Sequence, residues 1–186
     1  MKSRRIPFLT ATMANNFMAS KKQPIARENI FYFMLTAFAL FIADQLSKLA
    51  VIKFVSFADD KIDIIDGFFS IIHVTNAGAA WGMLSGRTYF LSSIALLTLV
   101  AIWLFRRELG FEFKSVCVCM GMFVGGVLGN LLDRITCGHV VDFLDVYIPY
   151  VNYRWPAFNI ADCGICVGVF LYIVISMFFL PKEQKK

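Results

Sequence analysis

The sequence predicts an all-α membrane protein of four transmembrane helices, with a small antiparallel β element in its first outer loop. Three observations carry this. Of the 186 residues, 59% are hydrophobic and 20 are Phe, against about 45–50% apolar in an ordinary globular domain; a chain this small has too little interior to hide so much apolar side chain. Mean hydropathy is +0.68. Four apolar stretches each reach the roughly 17–25 residues that cross a bilayer.

The elements follow in order. Residues 1–29 form a basic tail with Lys2, Arg4, Arg5, Lys21, Lys22 and Arg27. It has no compact apolar core and the first span has no small-x-small exit site, so that span is expected to stay as an anchor and not to be removed with a leader. The spans are expected at about 30–48, 88–105, 115–132 and 158–180, inside one domain covering 30–180. Arg106, Arg107 and Lys114 lie between spans two and three, and Lys182, Lys185 and Lys186 lie in the tail 181–186. Basic flanks stay inside, so both termini are expected in the cytoplasm. The loops at about 49–87 and 133–157 then face outward. The net charge of +5 reads as topology and not as a nucleic-acid surface.

In the first outer loop, Asp66-Gly67 separates two β-prone runs, 62–65 and 68–74. Asp-Gly between such runs signals a hairpin. The second outer loop carries Tyr147, Tyr150, Tyr153 and Trp155, aromatics of the kind that gather at bilayer interfaces.

On this topology the unusual polar residues share one end of the molecule. Span one closes on Asp44 and Lys48, and span three on Asn130, Asp133 and Arg134. Span four opens with Asn159 and Asp162, while Asn76 and Asp142 sit in the outer loops. A carboxylate in the membrane costs roughly 2.5–3.5 kcal/mol at the centre and less near the surface, so four acids there imply pairing or chemistry. Asp44 and Asp133 read equally well as ion-pair partners, Asp44 with Lys48 at i,i+4 and Asp133 with Arg134 or Lys48. Asp162 also suits a helix N-terminus. Asp142 also reads as a solvated loop acid.

Other chemistries are poorly served. Cys163 and Cys166 form a C-x-x-C, but inside an apolar helix; with Cys117, Cys119 and Cys137 they read as small packing residues. His73 and His139 are isolated, and no nucleophile motif is present. No metal and no cofactor is expected. A small transporter or proton-coupled channel is the alternative, since intramembrane Asp, Lys and Arg mark ion pathways. Its polar residues should run the full depth, and here they stop at the outer end. Carboxylates remain. Two that share a proton split their pKa values, so one takes a proton from water while the other polarises a carbonyl.

"DQLSK", "NAGAAWG", "GGVLGNLLDR", "VVDF" and "FNIAD" follow one another in that order, with the spans among them. The set resembles the bacterial lipoprotein signal peptidases, or signal peptidase II, from Ala43 to Leu180. The resemblance implies an aspartic endopeptidase of the cell inner membrane with its site at the outer face. It acts on prolipoproteins bearing a diacylglyceryl group and cuts before the lipidated cysteine. It implies Asp142 and Asp162 as the catalytic pair, and it alone selects Asp142 over Asp145. Asp44, Lys48, Asn76, Gly78, Asn130, Asp133, Arg134, Asn159 and Ala161 become substrate-binding or site-shaping positions. The implied partners are prolipoprotein and membrane lipid, with the enzyme a monomer. The small residues Gly125, Gly126, Gly129 and Ala161 are expected to let a substrate helix come close.

Overall fold

The computed structural model describes residues 24–57, 60–79 and 83–179. The basic residues of both tails other than Arg27, and Asp59 in the expected first outer loop, lie outside them. Helix α1 is Arg27–Phe54, α2 Thr88–Leu104, α3 Lys114–Cys137 and α4 Ile160–Phe178. Strands β1 Lys61–Ile65 and β2 Phe69–Asn76 follow α1, and β3 Val140–Ile148 and β4 Tyr153–Arg154 follow α3.

Among the described residues, α1, α3 and α4 are long and apolar enough to cross a membrane. Helix α2 is a shorter apolar helix of 17 residues. Helix α1 runs 28 residues, beyond its expected end. Its extra turns bring Val51 and the following Val55 onto Val141 and Phe143 of β3.

Helix α3 is central and packs on the other three helices. Its composition explains the position, because glycines on several faces let neighbours close in. A Cβ at Gly126 would stand against the carbonyl oxygen of Ala161 on α4, and one at Gly129 against the Asp44 carboxylate on α1. Gly125 meets Ala37 in the same way, and Ala161 is fully buried. The four small residues therefore seat the protein's own helices and are not a landing strip for a substrate helix. Overpacking such a seat costs about 1–3 kcal/mol. Gly126→Ala is accordingly expected to lower the thermal midpoint in detergent, and an unchanged midpoint would deny the seat. Outward faces are apolar and exposed, as with Phe38 and Leu49 on α1 and Leu97 on α2. That is the surface a bilayer covers.

The hairpin forms at Asp66-Gly67, with Gly67 at φ +68°, a conformation that costs glycine little. The β structure is larger than one hairpin. The four described strands join antiparallel in the order β1-β2-β3-β4, so the segment between α3 and α4 supplies half of the sheet. Asp142 is therefore a strand residue and not a loop residue. It lies opposite Val74, just past an irregularity in β2. Phe158 then ties α4 to this strand: its N–H donates to Leu144 O at 3.1 Å, and its O accepts from Leu144 N at 2.8 Å and Phe143 N at 3.0 Å. This clasp holds the first turn of α4 beside Asp142.

Candidate active site

Asn159 caps α4. Its side-chain oxygen accepts from Asp162 N at 2.9 Å, and its own N–H donates to Asp162 Oδ2 at 3.1 Å. This reciprocal box satisfies two donors that a helix start leaves open. The other face of the same amide turns to the sheet, where Asn159 Nδ2 donates to Asp142 Oδ1 at 2.7 Å. One fully buried Asn thus joins both aspartates.

Two more amides complete the pair. Asn76 Nδ2 donates to Asp142 Oδ2 at 3.0 Å, and Asn130 Nδ2 donates to Asp162 Oδ1 at 2.8 Å. The orientation of each amide is set by a donor at its oxygen: Gly78 N for Asn76 at 2.9 Å, Lys48 Nζ for Asn130 at 3.0 Å, and Asp162 N for Asn159. A flip would put two donors face to face in each case. All four carboxyl oxygens of the pair therefore accept from N–H groups of fixed direction.

Beneath Asn130 lies a buried ionic layer. Lys48 Nζ is 2.8 Å from Asp44 Oδ2 and 2.7 Å from Asp133 Oδ2. The second contact is an ion pair without an aligned hydrogen bond. Asp44 Oδ1 accepts from Ala161 N at 2.9 Å, so an acid on α1 satisfies a backbone donor in the first turn of α4. Lys48 settles the two options left by the sequence for Asp133: it is the partner, while Arg134 turns away. Arg134 Nη2 donates to Gly78 O at 3.1 Å and pins the chain just after β2. Gly78 is itself packed so tightly that a Cβ would stand 2.6 Å from Met83 O.

Sequence reasoning passed over Gln45. Its Nε2 lies 3.0 Å from Asp133 Oδ1, 3.1 Å from Asp44 Oδ2 and 3.3 Å from Gly129 O. It bridges two like charges. The available signal was its place beside Asp44 in a run of polar residues at the end of a span.

A cavity of about 490 Å³ opens at the pair, and its polar lining includes Asn76, Asn130, Arg134, Asp142 and Asp162. Val140, Trp155, Phe158 and Val167 are among its apolar lining. Asp145 is not in this lining; it pairs with Arg154 at 2.8 Å, as an odd spacing along a strand requires. Burial pushes the Asp142 carboxyl up to about 6, and the charge of Asp162 pushes the same way against the Asn76 and Asn159 hydrogen bonds. Asp142 thus holds a proton to a higher pH than a free carboxyl does.

Apolar helices around a half-polar cleft place the chain in the class of multi-span membrane enzymes. Comparison makes this particular. The family described as Signal peptidase (SPase) II matches residues 36–179. A lipoprotein signal peptidase of Ralstonia nicotianae is 41% identical over 70% of this chain and 75% of its own. One of Bacillus pumilus is 37% identical over 84% and 98%. A solved structure described as a bacterial membrane enzyme aligns with TM-score 0.71 at 33% identity, covering 82% of this chain and 94% of its own. A second gives 0.69 at 34% identity, over 80% and 94%. The chain belongs to the signal peptidase II family. It is a membrane aspartic peptidase of lipoprotein processing, which removes signal peptides from prolipoproteins.

Proposed function

We propose that Asp142 and Asp162 hydrolyse the bond before the lipidated cysteine of a diacylglyceryl-modified prolipoprotein, with no covalent intermediate. The observation that carries this is the shared Asn159, which bonds both carboxyls at once and holds them over one cavity.

The roles follow from the surroundings. Asp162 stands at a helix N-terminus with a backbone donor on one oxygen and an amide backed by Lys48 on the other. Charge there is well supported, so Asp162 is the base that takes a proton from water. Asp142 carries the proton of the pair and polarises the scissile carbonyl. Water adds to that carbonyl, the tetrahedral carbon collapses, and the proton passes to the leaving amine of the cysteine. The signal peptide leaves with a new carboxyl. Asn76, Asn130 and Arg134 line the cavity within reach of substrate backbone, and Asp44, Lys48, Asp133 and Gly78 hold them in place. The apolar wall receives the lipid-bearing segment.

The pH dependence has a definite sign. A carboxyl whose pKa is raised to about 6 keeps its proton below that value and loses it above. The kcat/KM of the free enzyme is therefore expected to fall as pH rises through about 6, with the apparent value belonging to the pair. Folding linkage runs the same way, because the folded state holds this proton between the ordinary carboxyl value and about 6. A profile rising steadily from pH 5 to 8 would contradict the assignment.

Four spans, counting α2, with both termini inside and the cleft at the outer face, agree with the charge pattern and with water entry from outside. Reporter fusions at Lys186 and at Asp60 are expected on opposite sides of the membrane; the same side would overturn this topology. The enzyme acts as a monomer in the bacterial inner membrane. The function itself is tested by a lipidated prolipoprotein and its unlipidated precursor, offered side by side to purified enzyme. Cleavage of the lipidated form just before cysteine supports the reading; equal rates, or another cut site, oppose it.

A further inference from the structure

Gln45 has a second consequence, which reaches the reacting pair. Its Nε2 faces three acceptors: Asp133 Oδ1 at 3.0 Å, Asp44 Oδ2 at 3.1 Å and Gly129 O at 3.3 Å. Acceptors alone on that side set the direction of the amide. The two acids depend on it unequally. Asp44 also accepts from Lys48 Nζ at 2.8 Å and from Ala161 N at 2.9 Å. Asp133 is buried, and among the described residues its carboxyl takes its aligned hydrogen bond from Gln45 alone. Lys48 stands 2.7 Å from Asp133 Oδ2, yet its aligned hydrogen bonds go to Asp44 and to Asn130 Oδ1.

That division matters for the site. The bond from Lys48 sets the Asn130 amide, and Asn130 Nδ2 donates to Asp162 Oδ1 at 2.8 Å. A buried carboxylate left without a donor is costly. With no amide at position 45, Asp133 competes for Lys48. A charged acceptor wins that competition over the neutral oxygen of Asn130, and the ammonium turns away from Asn130. Arg134 does not fill the gap, because its guanidinium is held at Gly78 O and Asn130 O.

We propose that Gln45 is a positioning residue for the reaction. By satisfying Asp133 it keeps Lys48 on Asn130, and so keeps Asn130 aimed at Asp162. Gln45 itself is outside the cavity lining and acts only through these neighbours. This rests on Asp162 acting as the base.

The test is a cycle of Gln45→Leu, Asp133→Asn and the double variant, each as full-length enzyme in detergent, with kcat and KM measured on lipidated prolipoprotein. Gln45→Leu is expected to lower kcat about tenfold, the rate equivalent of one mis-set hydrogen bond at a reacting group. KM should change little, since the interaction lost is one made in the transition state. Asp133→Asn removes the competing charge, so adding Gln45→Leu to it is expected to cost about twofold at most. A packing role for Gln45 would instead give the same loss in both backgrounds, and that result would overturn the proposal. So would a folded Gln45→Leu enzyme with unchanged kcat, or a loss carried by KM alone. Gln45→Asn keeps the amide but falls one methylene short of Asp133; it replaces Gln45→Leu, with the same expected results, if that variant does not accumulate. A second readout is independent of cleavage. In enzyme labelled with 15N-asparagine, the Asn130 side-chain signal, assigned by its loss in Asn130→Asp, is expected to move in Gln45→Leu and to return in the double variant. An unmoved signal would also overturn the proposal. Asp162→Asn, run alongside, separates the two readings: near-normal cleavage by that variant would sink the base, and the Asn130 signal would still decide whether Gln45 sets that amide.

Discussion

Asp162→Asn is expected to leave a folded, inserted protein that cleaves lipidated prolipoprotein about 10³-fold more slowly, within the usual reach of a lost acid–base group. The structural cost is small. The Asn side-chain oxygen still accepts from Asn159 N, so the capping box survives in large part, and Asn and Asp cap about equally well. The new NH₂ then faces Asn130 Nδ2, and Asn130 does not turn away because Lys48 donates to its oxygen. One hydrogen bond is lost, worth about 1 kcal/mol. Thermal midpoint and detergent elution report the fold, and a gel shift of the prolipoprotein reports cleavage. A folded Asp162→Asn enzyme with near-normal cleavage would reduce Asp162 to a cap.

Lys48→Met is expected to fail in the opposite way, through folding. Lys48 is nearly inaccessible, and Asp44 and Asp133 are buried beside it. Removing the cation leaves two buried carboxylates with Gln45 as their shared amide donor. Stranding a partner of a buried pair costs about 3–5 kcal/mol, a large share of the roughly 5–15 kcal/mol that holds a domain folded. The variant is expected to accumulate poorly in the membrane. Adding Asp44→Asn and Asp133→Asn removes the stranded charges and is expected to restore accumulation. A Lys48→Met protein that accumulates normally alone would mean that the layer does not hold the site together.

Much of this site was legible because its parts are local. Asp44 and Lys48 stand four apart on one helix, and the Asp-Gly turn announces its own hairpin. Asp162 reads as an acid in the first turn of a helix, while its reciprocal box with Asn159 came only with the structure. What stayed hidden is long-range. Strand β3 pairs with β2 across some seventy residues, so its run of Val, Phe and Tyr read as an interfacial loop. Asp142 and Asp145 are alike in sequence; only the sheet register and Arg154 separate them. The glycines of α3 show close approach but not by what, and the structure gives α1 and α4. Gln45 escaped notice because an uncharged residue beside two charged ones draws no attention until all three meet Asp133.

The most direct test of the pair is a cycle of Asp142→Asn, Asp162→Asn and the double variant, each assayed for cleavage of one lipidated prolipoprotein at pH 6. Groups that act as one unit are not additive. The expected result is that each single variant falls to the level of the double, all three folded. Contradiction would be a double variant slower than either single by the product of the two losses, or one single variant retaining near-normal cleavage.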